Sequence, residues 1–145
     1  MPKEGNEPGK LVIYTDGAAR GNPGPAGVGV VIADGQGEVL KRLSAYIGRA
    51  TNNVAEYEAL LLALKAAAKL QAAEIEIRLD SQLLKRQLRG EYKVRSRRLR
   101  PLYEEVQALL SAYDRVSIVH IPRERNREAD RLANRAIALA LNKER

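Results

Sequence analysis

The 145-residue chain has no cysteine, tryptophan or phenylalanine, and only one methionine and one histidine. Without cysteine there is no disulfide, no thiol nucleophile and no zinc or iron–sulfur site built on sulfur. A lone imidazole, His120, also excludes multi-histidine metal sites. Any metal must therefore sit mainly on carboxylate and amide oxygen, a donor set that suits Mg²⁺, Mn²⁺ or Ca²⁺. Long apolar runs are missing as well. No stretch approaches the roughly 20 residues a bilayer span needs, and the opening MPKEGNEPGK lacks the apolar centre of a secretory signal. These absences predict a soluble, cytoplasmic protein with no membrane partner. Hydrophobic residues at 45 % and charged residues at 30 % are a globular balance, enough for the core of one domain.

Charge of one sign is concentrated in one place. Residues 85–100, KRQLRGEYKVRSRRLR, hold eight basic side chains against Glu91 alone, which matches the net charge of +7 of the whole chain. Such a cluster is the footprint of a polyanion-binding surface. The plainer alternative is a solvated, arginine-rich face, but Gly90 and Tyr92 interrupt the run. A membrane-surface helix would need an aromatic or leucine face beside it, and none is present.

Hydrophobic periodicity and turn signals predict an α/β chain in the order β-β-β-α-β-α-α-β-α. Residues 1–9 are expected to be a disordered tail, 10–141 a single domain and 142–145 a second tail. The expected strands are Leu11–Thr15, Gly27–Ala33, Glu38–Ile47, Ala73–Asp80 and Val116–Ile121. The Gly- and Pro-dense run Ala18–Ala26 between the first two is expected to be loop. Helices are expected over about 53–71, 81–88, 98–113 and 126–141, with Thr51, Asn52 and Asn53 offering caps to the first. The first three strands form an antiparallel meander, and the whole a mixed five-stranded sheet flanked by helices.

Four carboxylates stand where a structural role explains them poorly. Asp16 and Asp80 fall at predicted strand ends, the edge where open α/β sheets keep their sites; each alone also fits a turn residue. Glu56 lies roughly 160° around its helix from Glu58, on the side away from the charges of that helix, so it points at the sheet. The alternative is a capping-box glutamate paired with Asn52 or Asn53. Asp130 borders the apolar stripe of the last helix in its first turn, where a favourable helix-dipole contact is the alternative. Gathered at one sheet edge, four carboxylates repel, and divalent cations between them relieve the repulsion. Two such ions about 4 Å apart activate water and stabilise a leaving oxygen in phosphodiester cleavage.

The segments TDGAARGNPGPAGVG (15–29), TNNVAEYEAL (51–60), LDSQ (79–82) and NREADRLAN (126–134), in this order, resemble the type 1 ribonuclease H family over residues 11–141. The resemblance implies the ribonuclease H-like fold. It also implies endonucleolytic hydrolysis of the RNA strand of RNA–DNA hybrids, leaving 5′-phosphate and 3′-hydroxyl ends. By it, Asp16, Glu56, Asp80 and Asp130 bind two Mg²⁺ ions (Mn²⁺ as an alternative), with Asp16 bridging both. Asn22, Asn52, Asn53 and Gln82 match positions that contact the hybrid, and Arg49 and Thr51 match a pocket for a DNA-strand phosphate. Arg95, Arg97 and Arg98 of the basic stretch are candidates for gripping the backbone. A monomer is expected. Two departures stand out. The loop before the last helix, Pro122–Arg125, lacks the histidine many bacterial members carry, and His120 falls in the strand before it. The tryptophan-bearing basic protrusion of some members is also unrecognisable. Two other readings stand on the same fold: a non-catalytic nucleic-acid-binding module, and a nuclease that cuts DNA.

Overall fold

The computed structural model describes residues 8–143. The expected tails at 1–7 and 144–145 lie outside the described residues, while Asn142 and Lys143, expected in a tail, belong to the last helix. The elements run β1 (Lys10–Ala19), β2 (Gly24–Asp34), β3 (Val39–Ala50), α1 (Asn52–Ala68), β4 (Glu74–Leu79), α2 (Gln82–Leu88), α3 (Leu99–Leu110), β5 (Arg115–His120) and α4 (Arg127–Lys143), with a 3₁₀ turn at Arg123–Arg125. This is the predicted order.

The strands form one mixed sheet in the order β3-β2-β1-β4-β5. The meander β1–β2–β3 is antiparallel, and β4 and β5 join it in parallel. Parallel neighbours need crossover connections, which α1 and the α2–α3 pair supply. Leu11 and Ile13 of β1, Val30 and Ile32 of β2, and Ile75 and Ile77 of β4 face α1 in a core closed by Tyr57, Leu60 and Leu64. Helix α4 covers the other face, over β1, β2 and β3. That is why β2 reads as an unbroken apolar run: every residue from Ala26 to Ala33 is buried. Strand β4 alternates instead, with Ile75, Ile77 and Leu79 inside.

One local expectation changes. The run Ala18–Ala26 is mostly strand: Gly17, Ala18 and Ala19 pair with Val28, Gly27 and Ala26. Only residues 20–23 turn, closed by Arg20 N–H donating to the Pro25 carbonyl at 2.8 Å. Proline lacks a donor but keeps its acceptor, and the tight turn needs Gly21, at φ +113°, and Gly24, whose Cβ would overlap the Arg20 carbonyl. The charged side of α1 keeps Lys65 and Lys69 exposed while meeting α3 in part. Leu62 packs against the core, and Lys65 pairs with Glu105 at 3.3 Å.

Glycine sets the distance between α4 and the sheet. A Cβ on Gly29 would overlap the Ala129 carbonyl oxygen and lie 2.8 Å from Ala133 N. The helix backbone therefore rests directly on β2. Gly29→Ala should lower unfolding stability by about 2–3 kcal/mol, because the clash is with backbone and not with a yielding side chain. Gly35→Ala, whose Cβ would meet nothing closer than Lys10 Cβ at 3.6 Å, should change it by no more than about 1 kcal/mol. Urea denaturation of the two variants beside the wild type checks this.

Candidate active site

Strands β1 and β4 pair in parallel with a constant offset, Lys10 opposite Glu74 through Tyr14 opposite Arg78. Carried two positions further, the same offset sets Asp16 beside Asp80. Asp16 lies inside β1, opposite Gly29 of β2, and not at the strand's end as expected. On its β4 side, however, the ladder has already stopped, so both carboxylates stand at the carboxyl edge of the parallel pair. Asp80 follows the last residue of β4 directly.

Glu56 arrives from the α1 side. Thr51 caps α1, its hydroxyl accepting from Val54 N–H at 3.2 Å. The capping-box alternative for Glu56 is thereby set aside: the residue three past the cap is Val54. The first turn of α1 lies on Gly17, whose Cβ, if present, would overlap the Ala55 backbone and sit 2.5 Å from Glu56 N. With that space open, Gly17 N–H donates to Glu56 Oε1 at 2.8 Å. One oxygen each from Asp16, Glu56 and Asp80 then lie within 4.8 Å of one another.

Asp130, in the first turn of α4, stands outside that group of three, but its carboxyl is close enough to Asp16 to act on its ionisation. Asn134, one turn on, donates through Nδ2 to Asp130 Oδ1 at 3.2 Å and to the Asp130 carbonyl at 3.0 Å. Asn126 fastens the cluster from beneath. Its Nδ2 donates to Thr15 O and to Asp80 Oδ2, both at 2.9 Å. Neither amide stands out in the sequence; the only trace is their place in NREADRLAN, four residues either side of Asp130.

Asp16 is only 7 % exposed. Burial first, then the neighbouring Glu56, Asp80 and Asp130 carboxyls, push its pKa up to about 9. Burial likewise pushes Glu56 up to about 7, with Asp80 adding to the rise and the Gly17 hydrogen bond opposing it. Partly desolvated carboxylates at such range are poor neighbours unless protonated or shared around a cation. The donors are all hard oxygen, and the spacing fits a small divalent ion.

The other predicted residues divide. Asn22 and Asn52 come together: Asn22 Oδ1 accepts from Asn52 N–H at 3.1 Å, and Asn52 Oδ1 accepts from Ala19 N–H at 3.0 Å. They clamp the β1–β2 turn onto the start of α1. Asn22, Thr51 and Asn53 line a cleft of about 320 Å³ that Arg98 closes from across the chain. Gln82 opens α2 and is exposed, as is Arg49 near the end of β3. Arg95 lines a separate hollow beside Tyr103, and Arg97 is exposed on the connection between α2 and α3. His120 is the last residue of β5, opposite Leu79. The loop after it exposes Arg123, Glu124 and Arg125.

Comparison with known proteins bears on the same segments. A family model described as reverse transcriptase-like matches residues 14–136. Ribonuclease HI of Halobacterium salinarum is 47 % identical over 129 residues, covering 89 % of this chain and 65 % of that protein. The crystal structure of RNase H1 from the same organism superposes with a TM-score of 0.87 over 90 % of this chain and 98 % of that one. LC11-RNase H1, solved in complex with an RNA/DNA hybrid, is 48 % identical with a TM-score of 0.86, over 90 % of this chain and 99 % of its own. A bifunctional protein of Mycobacterium tuberculosis is 48 % identical over 133 residues, 90 % of this chain and 36 % of that protein. The chain thus spans 65 % of one curated relative and 36 % of the other. Because the matched span takes in all four carboxylates, and sequence and backbone agree across it, the chain belongs to the type 1 ribonuclease H family.

Proposed function

We propose that this protein is a ribonuclease H, a metal-dependent endonuclease that hydrolyses the RNA strand of RNA–DNA hybrids and leaves 5′-phosphate and 3′-hydroxyl ends. The observation that carries the reading is the meeting of Asp16, Glu56 and Asp80 within 4.8 Å at the sheet edge, with Asp130 next to Asp16. A purely binding surface for a polyanion has no use for a buried acidic cluster. The hybrid bound by LC11-RNase H1 supports the substrate class. When bound, two Mg²⁺ ions supply the activation of water and the stabilisation of the leaving oxygen.

The chain's own residues provide the frame. Asp16 is central: it neighbours the other three carboxyls and would be the residue to help hold both ions. Glu56 is held by Gly17 and Asp130 by Asn134, so neither needs to reorient when a cation enters. Asn22 and Asn53, compact and at one cleft, suit the 2′-hydroxyls and base edges of a wide minor groove, and Thr51 beside them suits a DNA-strand phosphate. Arg98 adds charge at that cleft for a phosphate. Arg49, Asn52 and Gln82 flank the same end of the molecule.

Labelled RNA–DNA hybrid, duplex DNA and duplex RNA, each offered with Mg²⁺ or Mn²⁺, test the reading. Only the hybrid should be cut, and only in its RNA strand; cleavage of duplex DNA instead would replace the proposal. In the same assay Glu56→Gln should lose about 100-fold or more in rate, since it removes a metal-binding carboxylate. Glu58→Gln, on the far side of the helix, should stay near wild type.

The raised carboxyls fix a pH dependence with a definite sign. Asp16 moves from 3.8 to about 9 and Glu56 from 4.5 to about 7. A pKa raised on folding contributes stability that is full below the unfolded value and is lost as pH rises through the folded one. In EDTA, Tm should fall between about pH 4 and pH 9. Saturating Mg²⁺ should reverse the loss at the alkaline end, because it binds only the ionised cluster. Asp16→Asn should be inactive yet keep a flatter Tm profile in EDTA. A wild-type profile that rises with pH would contradict the burial of these groups.

For the basic stretch, the triple change Arg95, Arg97 and Arg98 to Ala should weaken hybrid binding. It should make the slope of log affinity against log salt shallower by roughly one unit per phosphate contact removed. The rate at saturating hybrid should change little, because these side chains lie outside the carboxylate cluster. Titrations in Ca²⁺ at several salt concentrations measure the slope.

A further inference from the structure

Asn126 is 1 % exposed, one of few polar side chains buried in this fold. Its Nδ2 reaches Thr15 O, 111 residues away in sequence, and Asp80 Oδ2, 46 residues away, at 2.9 Å each. Its own carbonyl accepts the Asp130 N–H at 3.1 Å. One residue therefore touches the backbone beside Asp16, the carboxylate of Asp80 and the backbone of Asp130. Both side-chain partners are acceptors, so the group between them must offer two N–H bonds and carry no negative charge. Among the described residues, its Oδ1 is buried without any hydrogen-bond partner. A buried acceptor left unpaired is destabilising. Hydrogen-bond economy thus does not account for this side chain, whereas its two donations do.

The structure assigns Asn126 as a positioning residue: its amide locks the Asp80 carboxylate to the strand that carries Asp16, so that the divalent-cation site is preformed before any ion arrives. This inference rests on the hydrolase reading above and deepens it. Asn126 touches neither substrate nor reacting atoms by this account. It acts through Asp80, as residues behind metal ligands commonly do, where their loss typically costs 10–100-fold in metal affinity or activity.

The test is calorimetric titration of the protein with Mn²⁺ alone, with hybrid cleavage measured over a range of Mg²⁺ concentrations. Asn126→Ala should weaken Mn²⁺ binding about 10–100-fold and raise the Mg²⁺ requirement for cleavage in parallel. The KM for hybrid at saturating Mg²⁺ should stay unchanged. Asn126→Ser, which keeps one donor, should fall between the two. A variant that is less stable but binds Mn²⁺ as the wild type does overturns the assignment and leaves the hydrolase reading standing. A wild type that neither binds Mn²⁺ nor cuts hybrid overturns both. One measurement needs no variant: in the wild type, the Asn126 side-chain amide resonances should shift as Mg²⁺ is added, in step with saturation of the site. Resonances that stay still overturn the assignment.

Discussion

Everything at the acidic end of this molecule depends on one missing side chain. At Gly17 the strand presents only an α-carbon to the helix above it, so the first turn of α1 lies directly against β1. That contact lets Glu56 enter from one face of the sheet while Asp130 enters from the other. It also leaves a backbone N–H pointing at the Glu56 carboxylate. A methyl group there would lift the helix start and take Glu56 out of reach. Gly29 plays the matching part under α4. At these two points backbone meets backbone across glycine, so the helix-to-sheet distance is fixed there more tightly than side-chain packing alone would fix it.

Around that frame the fold tolerates an electrostatic conflict. Desolvation and mutual repulsion both oppose ionisation of Asp16. The opposing stabilisation comes from elsewhere: the α1-side core, in which Ile13, Ile32, Tyr57, Leu60 and Ile77 are almost wholly excluded from water. Local strain set against global packing is common at functional sites. Arg98 is the basic side chain that reaches the amide-lined cleft, whereas Arg78 is engaged with Glu76 and Tyr14.

Much of this could be read from the residues, for definable reasons. The helical phase of Glu56 against Glu58 is a matter of periodicity, and burial of α1 against the sheet enforces it. Asp16 and Asp80 were legible as acids at a sheet edge, and their 64-residue spacing equals the β1–β4 register. Legibility failed where local signals run out. In Ala18–Ala26, glycine and proline do mark a turn, but it is only residues 20–23 long, and the strands run on through Ala19 and from Gly24 on either side of it. Thr51 serves as the helix cap while also lining the cleft, a double role that sequence does not separate. Asn126 was invisible because its partners lie 46 and 111 residues away, and no local pattern encodes a buried amide's far contacts.

The reach of Asn126 also has a consequence for synthesis on the ribosome. Strand β1 emerges early and β4 midway, but the bridge from Thr15 to Asp80 waits on residue 126, and Asp130 follows later still. Domains generally fold as units, their amino-terminal parts appearing first. Because the domain folds as a unit, its acidic edge stays unbraced until the last helix is available. The brace arrives only with the last helix, so a truncated or stalled product would keep Asp16, Glu56 and Asp80 without the amide that joins Thr15 to Asp80.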